Sequence, residues 1–392
     1  MPILLLIVFI DLLGFGLVIP LLPFFGLHFS ATTDEVTWLL GAYSLAQLIS
    51  APLLGRLSDL FGRRPVLLVG LACSVASYIW MGLATELWML FAARLLAGAG
   101  GGTIGTVFAY VTDVTTEEKR ARGMGMVGAA LGLGFTLGPA LGGLLSSSSP
   151  DNIKLFVPCM VAAGLSAAAL VLTAIILKES LPADARRQRR RASRLAFARE
   201  VLHRPMLLRL ISIAFITTTS FAVLETIFAI WANAIFDWGP RQVGFFFLYV
   251  GVILIFVQGG AIHPLAKRFG EARLLISAVV LLALGLLGMG FVGSLPELLI
   301  ASGALSLGMA LFSPASNSLI SREAAADERG GILGVSQSMQ SLARVVGPLV
   351  SGPLFVAFGY GAPYFAGAAA MVVAIFLAFT LLRTAPAEAQ TT

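Results

Sequence analysis

Apolar stretches long enough to cross a lipid bilayer recur along the entire chain, and they restrict its fold more than any other feature. A helix needs about twenty consecutive apolar residues to span the hydrocarbon core. Hydrophobic residues make up 58% of the 392 residues and charged residues only 12%, against about 25% charged residues in soluble domains. We therefore expect an all-α polytopic membrane protein with no water-soluble catalytic domain. The predicted spans cover residues 3–25, 36–55, 65–83, 87–112, 122–145, 155–177, 206–233, 242–264, 273–293, 296–320, 330–355 and 360–383.

The positions of the basic residues indicate how these spans are oriented. Of the 26 lysines and arginines, 22 lie in alternate loops or just after the last span, and loops of this kind stay on the cytoplasmic side. Both termini are therefore predicted to be cytoplasmic. The five tryptophans lie near the opposite ends of their spans, as an outer aromatic belt would. The sequence pI of about 9.7 follows from this topology, and it implies no nucleic-acid partner.

The two halves of the chain repeat each other. At a shift of 208 or 209 residues, Phe61-Gly62 falls on Phe269-Gly270, and Gly138-Pro139 falls on Gly347-Pro348. Parallel repeats of six spans predict a binding site near the bilayer midplane, between the two halves. The basic segment between them is expected to be solvated, and binding to anionic lipid is its alternative role. The predicted segments are a first six-helix bundle at 1–177, a cytoplasmic linker at 178–205, a second six-helix bundle at 206–385 and a tail at 386–392.

The loop after the second span combines glycines, an acid and arginines, namely Gly55, Asp59, Gly62, Arg63 and Arg64. The glycines permit a tight turn at the membrane surface. Asp59 can pair with a nearby arginine or face the positive end of a neighbouring helix. Such a cluster could hold the two halves together on one side of the membrane in one state and release them in another. Retention of basic loops in the cytoplasm would explain the arginines, but it leaves Asp59 unexplained.

This loop resembles the GxLxDxxGRRP signature of the major facilitator superfamily at every defining position. The resemblance implies twelve transmembrane helices in two six-helix bundles, with this loop gating the cytoplasmic side. A weaker version of the signature lies in the second half at residues 265–270, where Lys267 replaces the acid.

Apart from charges within a few residues of a span end, four charged residues lie inside the predicted spans: Asp11, Arg94, Glu225 and Arg344. Such residues mostly face an interior cavity and carry ions, protons or cationic substrates. We interpret Asp11 in this way, and a structural hydrogen bond is the alternative. Arg94, followed by a glycine-rich stretch, resembles a second signature of the superfamily that implies a part in proton transfer, although it could also be a static bridge between helices. Family resemblance makes Glu225 the companion of Asp11, and Arg344 the second arginine expected to tune these carboxylates.

The fifth span contains Gly134, Gly138, Pro139, Gly142 and Gly143. A proline removes a backbone hydrogen bond and bends a helix, while glycines let a second helix approach closely. The pattern resembles the GxxxGPxxGG signature of superfamily members that work as antiporters. It therefore implies export by exchange, and a purely structural kink is the alternative.

The first span resembles one branch of the superfamily in particular. Residues 16–23 are similar to the GxxxPxxP pattern of the twelve-helix drug/proton antiporters. Asp11 followed by two glycines, together with the region from Phe221 to Gly259, resembles the tetracycline/proton antiporter group. In contrast to that group, the third and ninth spans carry no acid, and the eighth has only His263 at its end.

Several polar residues are candidates for lining the cavity: Tyr43, Gln47, Tyr110, Gln258 and Asn317. Tyr43 and Gln47 are four residues apart and share one helical face. Each candidate could instead form an interhelical hydrogen bond. Asp113, near the end of the fourth span, is a further candidate, and capping a helix or pairing with a loop is its alternative. The sequence contains no phosphate-binding loop, metal-ligand cluster or nucleophile triad, so we predict no enzyme activity, cofactor or metal.

Taken with the resemblances, these patterns predict a proton-coupled antiporter that exports an amphipathic drug, tetracycline-like or multidrug, across a bacterial inner membrane. The resemblance also implies a functional monomer in lipid whose partners are protons and a small-molecule substrate. One alternative is a proton-coupled exporter or importer of an endogenous metabolite on the same fold. Another is a receptor or assembly protein that transports nothing.

Overall fold

The computed structural model describes residues 1–146, 155–181, 201, 203–324 and 328–384, and for 117–122, 125, 329–331 and 382–384 it describes the backbone only. Most of the predicted linker, 182–200 and 202, lies outside these residues, as does the predicted tail at 386–392.

Twelve helices within the described residues are long and apolar enough to cross a bilayer. The regular structure of this part of the chain is entirely helical, which confirms the predicted all-α polytopic fold. The helices are α1 Pro2–His28, α2 Thr33–Phe61, α3 Arg63–Gly82, α4 Leu87–Val114, α5 Glu117–Leu145, α6 Phe156–Ile175, α7 Pro205–Phe236, α8 Pro240–Phe269, α9 Glu271–Met289, α10 Leu295–Arg322, α11 Arg329–Phe358 and α12 Ala362–Thr384.

Three of these helices are interrupted at places that hydrophobic periodicity does not reveal. Helix α1 tightens into a 3₁₀ turn at Ile19–Leu21, where Pro20 cannot donate a backbone hydrogen bond. Helix α4 breaks at residues 102–103, after a run of glycines with low helix propensity. Helix α8 contains a π-helical segment at Val257–Ala261, a feature often found at functional sites.

The helices form two compact units, the first comprising Met1–Ala192 with Thr226–Val252 and the second Ser193–Glu225 with Ile253–Thr392. The first unit has two hydrophobic cores, one around Phe25 and Met81 and one around Leu4 and Val111. The bundle boundaries derived from the sequence stay a prediction.

Helices α9 and α10 of the second unit pack with very close backbones. A Cβ atom added to Gly308 would lie 2.7 Å from Cγ of Leu282 and 2.9 Å from the carbonyl oxygen of Ala278. A Cβ atom at Gly285 would lie 2.6 Å from Cγ of Leu305. Small residues of this kind are what allow membrane helices to approach closely. The first residue of α9 is thereby held beside the last turn of α10.

A bidentate ion pair ties the start of α7 to the loop before α11. The guanidinium of Arg204 donates to both oxygens of Glu328, at 2.7 and 2.9 Å. These hydrogen bonds, together with the positive charge of Arg204, hold the pKa of the Glu328 carboxyl below its ordinary value. The pair therefore contributes to stability above the ordinary pKa of about 4.3, and the contribution is lost as the pH falls through the lower folded-state value.

Replacing Glu328 with glutamine should lower the melting temperature in detergent at neutral pH by a small amount, because both side chains are partly exposed. The difference from the wild type should narrow as the pH falls below about 4.3. Glu323→Gln, which changes an exposed carboxylate on the same loop, serves as the control. A Glu328→Gln difference that stays constant down to pH values of about 3 would contradict this assignment.

Candidate functional site

A buried arginine joins the ends of three helices in the first unit. Arg63, the first residue of α3, is 1% exposed. Its guanidinium donates to Asp59 Oδ1 at 2.7 Å, to Ser58 Oγ at 2.7 Å and to Asp113 Oδ2 at 3.0 Å. Asp59 and Ser58 belong to the last turn of α2, and Asp113 to the end of α4. Asp59 thus pairs with an arginine, which is one of the two arrangements weighed for it, and Asp113 pairs with the same arginine.

The turn between α2 and α3 allows this arrangement. Gly62 is the single residue between the two helices and has φ +106°, a conformation that favours glycine. Arg64, next to Arg63, donates to the backbone carbonyl groups of Thr173 and Ala174. The two arginines thus face different partners, and the loop is fixed to the end of α6 as well.

Glu179, which the sequence analysis did not single out, also belongs to this group. Its Oε1 accepts the backbone N–H of Arg63 at 2.8 Å, and its Oε2 accepts that of Arg64 at 3.2 Å. A helix N-terminus attracts negative charge, but α3 begins with two arginines, so the carboxylate comes from another segment. The only signal in the sequence was an acid just after the sixth span. We call Asp59, Arg63, Asp113 and Glu179 the Arg63 cluster.

Asp11 lies within α1 and is half-buried. Ser166 of α6 donates its hydroxyl to Asp11 Oδ1 at 3.1 Å. Among the described residues this is the only hydrogen-bond partner of Asp11, and no basic side chain pairs with it. A carboxylate in a membrane helix therefore faces a neutral hydroxyl that can either donate to it or accept from it.

Arg94 is 3% exposed and is held by aromatic rings. Its Cζ atom lies 4.6 Å from the ring centroid of Tyr43 and 5.8 Å from that of Phe15. These are cation–π distances. Its Nε has no hydrogen-bond acceptor, and no carboxylate within the described residues pairs with it. The contacts join α4 to α2 and α1 without an ion pair.

The predicted cavity residues are dispersed. Gln47, 8% exposed, donates to the carbonyl oxygen of Gly101 at 3.0 Å, so it forms the interhelical hydrogen bond weighed as its alternative. Its Nε2 also lies 3.5 Å from the hydroxyl of Tyr43, whose ring contacts Arg94. Tyr110 is elsewhere, since its hydroxyl donates to the Lys178 carbonyl beside the Arg63 cluster at 2.8 Å. Gln258, in the π-helical segment, and Asn317 are both exposed.

Glu225 and Arg344 lie in the second unit, on α7 and α11. The two are close enough for the Arg344 charge to act on the Glu225 carboxyl. The helices that carry them approach closely, because a Cβ atom on Gly347 would lie 2.7 Å from Cβ of Ala222. Glu225 thus has a positive charge acting on it from another helix of its unit.

The glycines of the fifth span form the contact between α5 and α1. A Cβ atom on Gly134 would lie 2.7 Å from Cβ of Leu12, one on Gly138 would lie 2.7 Å from Cα of Gly16, and one on Gly142 would overlap the carbonyl oxygen of Leu17. Gly143 faces the other way, since its Cβ would lie 3.0 Å from Cα of Gly244 in α8. We call Gly134, Gly138 and Gly142 the glycine seam, and Pro139 lies inside the same uninterrupted helix.

The family model of the Major Facilitator Superfamily matches residues 4–263 and 261–392. The chain belongs to the major facilitator superfamily. Within the described residues, no group of three or more histidine, cysteine, aspartate or glutamate side chains could hold a metal ion.

Several relatives of this superfamily transporter are resistance proteins. It is 32% identical to the class C tetracycline resistance protein of Escherichia coli over 89% of this chain and 87% of that protein. It is 28% identical to multidrug resistance protein 2 of Bacillus subtilis, over 89% of this chain and 86% of that protein. The crystal structure of the human organic anion transporter MFSD10 (TETRAN) has a TM-score of 0.74, with 27% identity over 96% of this chain and 98% of that one.

Proposed function

We propose that this multi-pass membrane transporter exports an amphipathic drug in exchange for protons, and that Asp11 couples the two movements. The observation that carries the proposal is the environment of Asp11, a half-buried carboxylate beside the Ser166 hydroxyl. A hydroxyl can donate to a charged carboxylate and accept from a protonated one. Both protonation states of Asp11 therefore keep a partner.

The direction and the substrate class of the proposal draw on the relatives. Tetracycline and multidrug resistance proteins align with most of this chain, and the glycine seam resembles the antiporter signature. In the proposed cycle a proton neutralises Asp11 from outside, and its release inside restores a negative charge that attracts a cationic or metal-chelated drug. Glu225, next to Arg344, acts as the second carboxylate, and Arg94 as the fixed charge of the first unit.

The Arg63 cluster is the proposed gate. Opening this end of α2, α3 and α4 requires the Arg63 guanidinium to leave two carboxylates and a hydroxyl. Lost hydrogen bonds to charged groups cost about 1.5–3 kcal/mol each, so this end stays closed until another state supplies compensating contacts. In the sequence, 22 of the 26 basic residues lie in alternate loops or after the last span, and the loop that carries Arg63 is one of these; this supports a cytoplasmic position for the cluster and for both termini. The proposed location is the inner membrane, and the proposed functional state is a monomer in lipid.

The proton gradient supplies enough free energy for this exchange. A proton that moves across about one pH unit and about 100 mV releases about 3.7 kcal/mol. One proton per uncharged drug molecule could therefore sustain a drug gradient of roughly 500-fold.

The proposal is tested in inside-out membrane vesicles with an acidic interior and a pH-sensitive dye. Tetracycline with magnesium, followed by a panel of amphipathic drugs, is added to vesicles that contain the wild type, Asp11→Asn or Asp237→Asn. Asp237 is an exposed acid outside the helices with φ +54°, a conformation that asparagine accepts. Drug-triggered proton efflux should appear in the wild type and in Asp237→Asn, and it should be absent in Asp11→Asn.

Two results would contradict parts of this proposal. Efflux at the wild-type rate in Asp11→Asn would remove Asp11 from the coupling role. If no drug triggers efflux in the wild type, drug export is wrong, and endogenous metabolites become the substrates to test.

A further inference from the structure

A second ion-pair cluster joins α9 and α10 in the second unit. Glu271 is the first residue of α9 and is 16% exposed at its side chain. Ser318 donates its hydroxyl to Glu271 Oε1 at 2.6 Å, and Arg322 Nε lies 3.1 Å from Glu271 Oε2. Both partners lie in the last turns of α10. The proposed function gives these three residues no role.

This cluster occupies the same place in the repeat as the Arg63 cluster, and the charges of Asp59, Arg63 and Asp113 are reversed at the matching positions. A shift of 208 residues carries Arg63 onto Glu271 and Asp59 onto Lys267, and a shift of 209 carries Asp113 onto Arg322. In each unit, therefore, the first residue of the third helix of the repeat pairs with the end of the fourth. The distances agree, at 3.0 Å for Arg63–Asp113 and 3.1 Å for Glu271–Arg322.

The backbone geometry at the two positions agrees as well. The residue before Arg63 is Gly62 with φ +106°, and the residue before Glu271 is Gly270 with φ +79°. Each is the only residue between two consecutive helices. The turn is thus the same in both units, while the sign of the charge that follows it is opposite.

The reversal has a physical consequence at the helix N-terminus, which attracts negative charge. Glu271 supplies that charge itself while it also pairs with Arg322. Arg63 cannot supply it, and the first unit therefore uses Glu179 to accept the backbone N–H groups of Arg63 and Arg64. Glu271 thus places a negative charge at the start of α9 and pairs with Arg322, whereas the first unit uses Arg63 for the ion pair and Glu179 for the helix start.

The two clusters also differ in exposure. The side chain of Arg322 is 71% exposed, whereas Arg63 is 1% exposed. Solvent screens an ion pair that has an exposed partner, so the Glu271–Arg322 pair can open and close at a smaller free-energy cost than the Arg63 cluster. A pair that forms in one conformation and not in the other still shifts the balance between them.

We propose that Glu271 and Arg322, assisted by Ser318, are positioning residues of the transport cycle that fix the α9–α10 end in one conformation and release it in the other. The proposal rests on the proposed transport function, because its role is to set the rate of the conformational change. Glu271 and Arg322 touch neither the drug nor the protons. Their replacement should therefore lower the maximal rate of exchange and leave the half-saturating drug concentration unchanged.

The test uses charge reversal in the full-length protein. The variants are Glu271→Arg, Arg322→Glu and the double variant, which has the polarity of the first unit, and Glu323→Gln is the control beside Arg322. Each is measured for drug-driven proton exchange in inside-out vesicles. Amide hydrogen exchange over residues 262–276 and 316–324 is measured in detergent without drug or gradient, so that this second readout does not depend on transport.

Each single reversal should lower the maximal rate by about fivefold or more and increase deuterium uptake in both segments. The double variant should recover to within about twofold of the wild type in both readouts. The recovery is incomplete because arginine is less favourable than glutamate at a helix N-terminus. Glu323→Gln should behave as the wild type.

The other outcomes overturn the proposal or separate it from the proposed function. A double variant no better than the worse single variant would overturn it, and so would changed deuterium uptake with an unchanged maximal rate. If Glu271→Arg does not fold, the proposal is tested with Arg322→Glu alone, because this variant changes an exposed side chain. A wild-type maximal rate in Arg322→Glu would then overturn the proposal. If the wild type transports no drug, the proposed function fails. Deuterium uptake then decides on the ion pair alone. Wild-type uptake in the double variant supports the pairing of Glu271 with Arg322, and uptake as high as in the single variants overturns it.

Discussion

Replacing Arg63 with glutamine should lower the free energy of unfolding by about 3–5 kcal/mol, the usual cost of removing one partner from a buried ion pair. The guanidinium is nearly inaccessible to solvent and holds two carboxylates, Asp59 and Asp113. Glutamine carries no positive charge to balance them. The change is measured by thermal or SDS-induced unfolding of the purified protein in micelles.

Arg56→Gln is the matched control, because Arg56 is an exposed arginine near the same end of α2. It should change the free energy of unfolding by less than about 0.5 kcal/mol. The double variant Arg63→Gln/Asp113→Asn should be more stable than the sum of its single changes, since it removes both charges of one pair. Equal stabilities of Arg63→Gln and Arg56→Gln would show that the cluster does not hold these helices together.

Replacing Gly142 with alanine should destabilise the protein by about 2–3 kcal/mol, because the added methyl group would overlap the carbonyl oxygen of Leu17. Helices α1 and α5 would have to separate to accept it. Gly128→Ala provides the same chemical change on the same helix, where a Cβ atom meets nothing within 4 Å. It should be neutral or stabilising by up to about 1 kcal/mol, because alanine favours the helix.

The two alanine variants are compared by the same unfolding assay and by the amount of folded protein recovered from membranes. The expected signs are opposite although the substitution is the same. If both variants were equally stable, the close approach of α1 and α5 along the glycine seam would be wrong.

Much of this arrangement could be predicted because it depends on composition and local pattern. The apolar spans predicted the helices, since a bilayer admits few other structures. The turn at Gly62 and the pairing of Asp59 with a nearby arginine depend on residues four apart in the chain, whereas Gly55, expected in the same turn, lies inside α2. The glycines of the fifth span predicted a close helix contact, and the structure adds that α1 is the partner.

The rest depends on contacts between residues that are far apart in the sequence. Glu179 reaches Arg63 across more than one hundred residues, and no periodicity links the two. The repeat places Lys267 at the position of an acid, but it does not show that Glu271 pairs with Arg322. This ion pair is recognised only from the structure, in which α9 and α10 lie side by side. The π-helical segment in α8 could not be predicted either. It spans only five residues, too few to change the hydrophobic periodicity of the helix.

The glycine seam also bears on how this transporter can adapt. The backbones of α1 and α5 touch at Gly16 and Gly138, so any side chain added there must first push two helices apart. Mutations that broaden or redirect substrate selectivity should therefore accumulate on other helices, because a larger side chain at these positions would separate α1 from α5. Asp11, carried on α1, is thus held in a part of the molecule with few evolutionary alternatives, and new substrate specificities would arise around an unaltered α1–α5 pair.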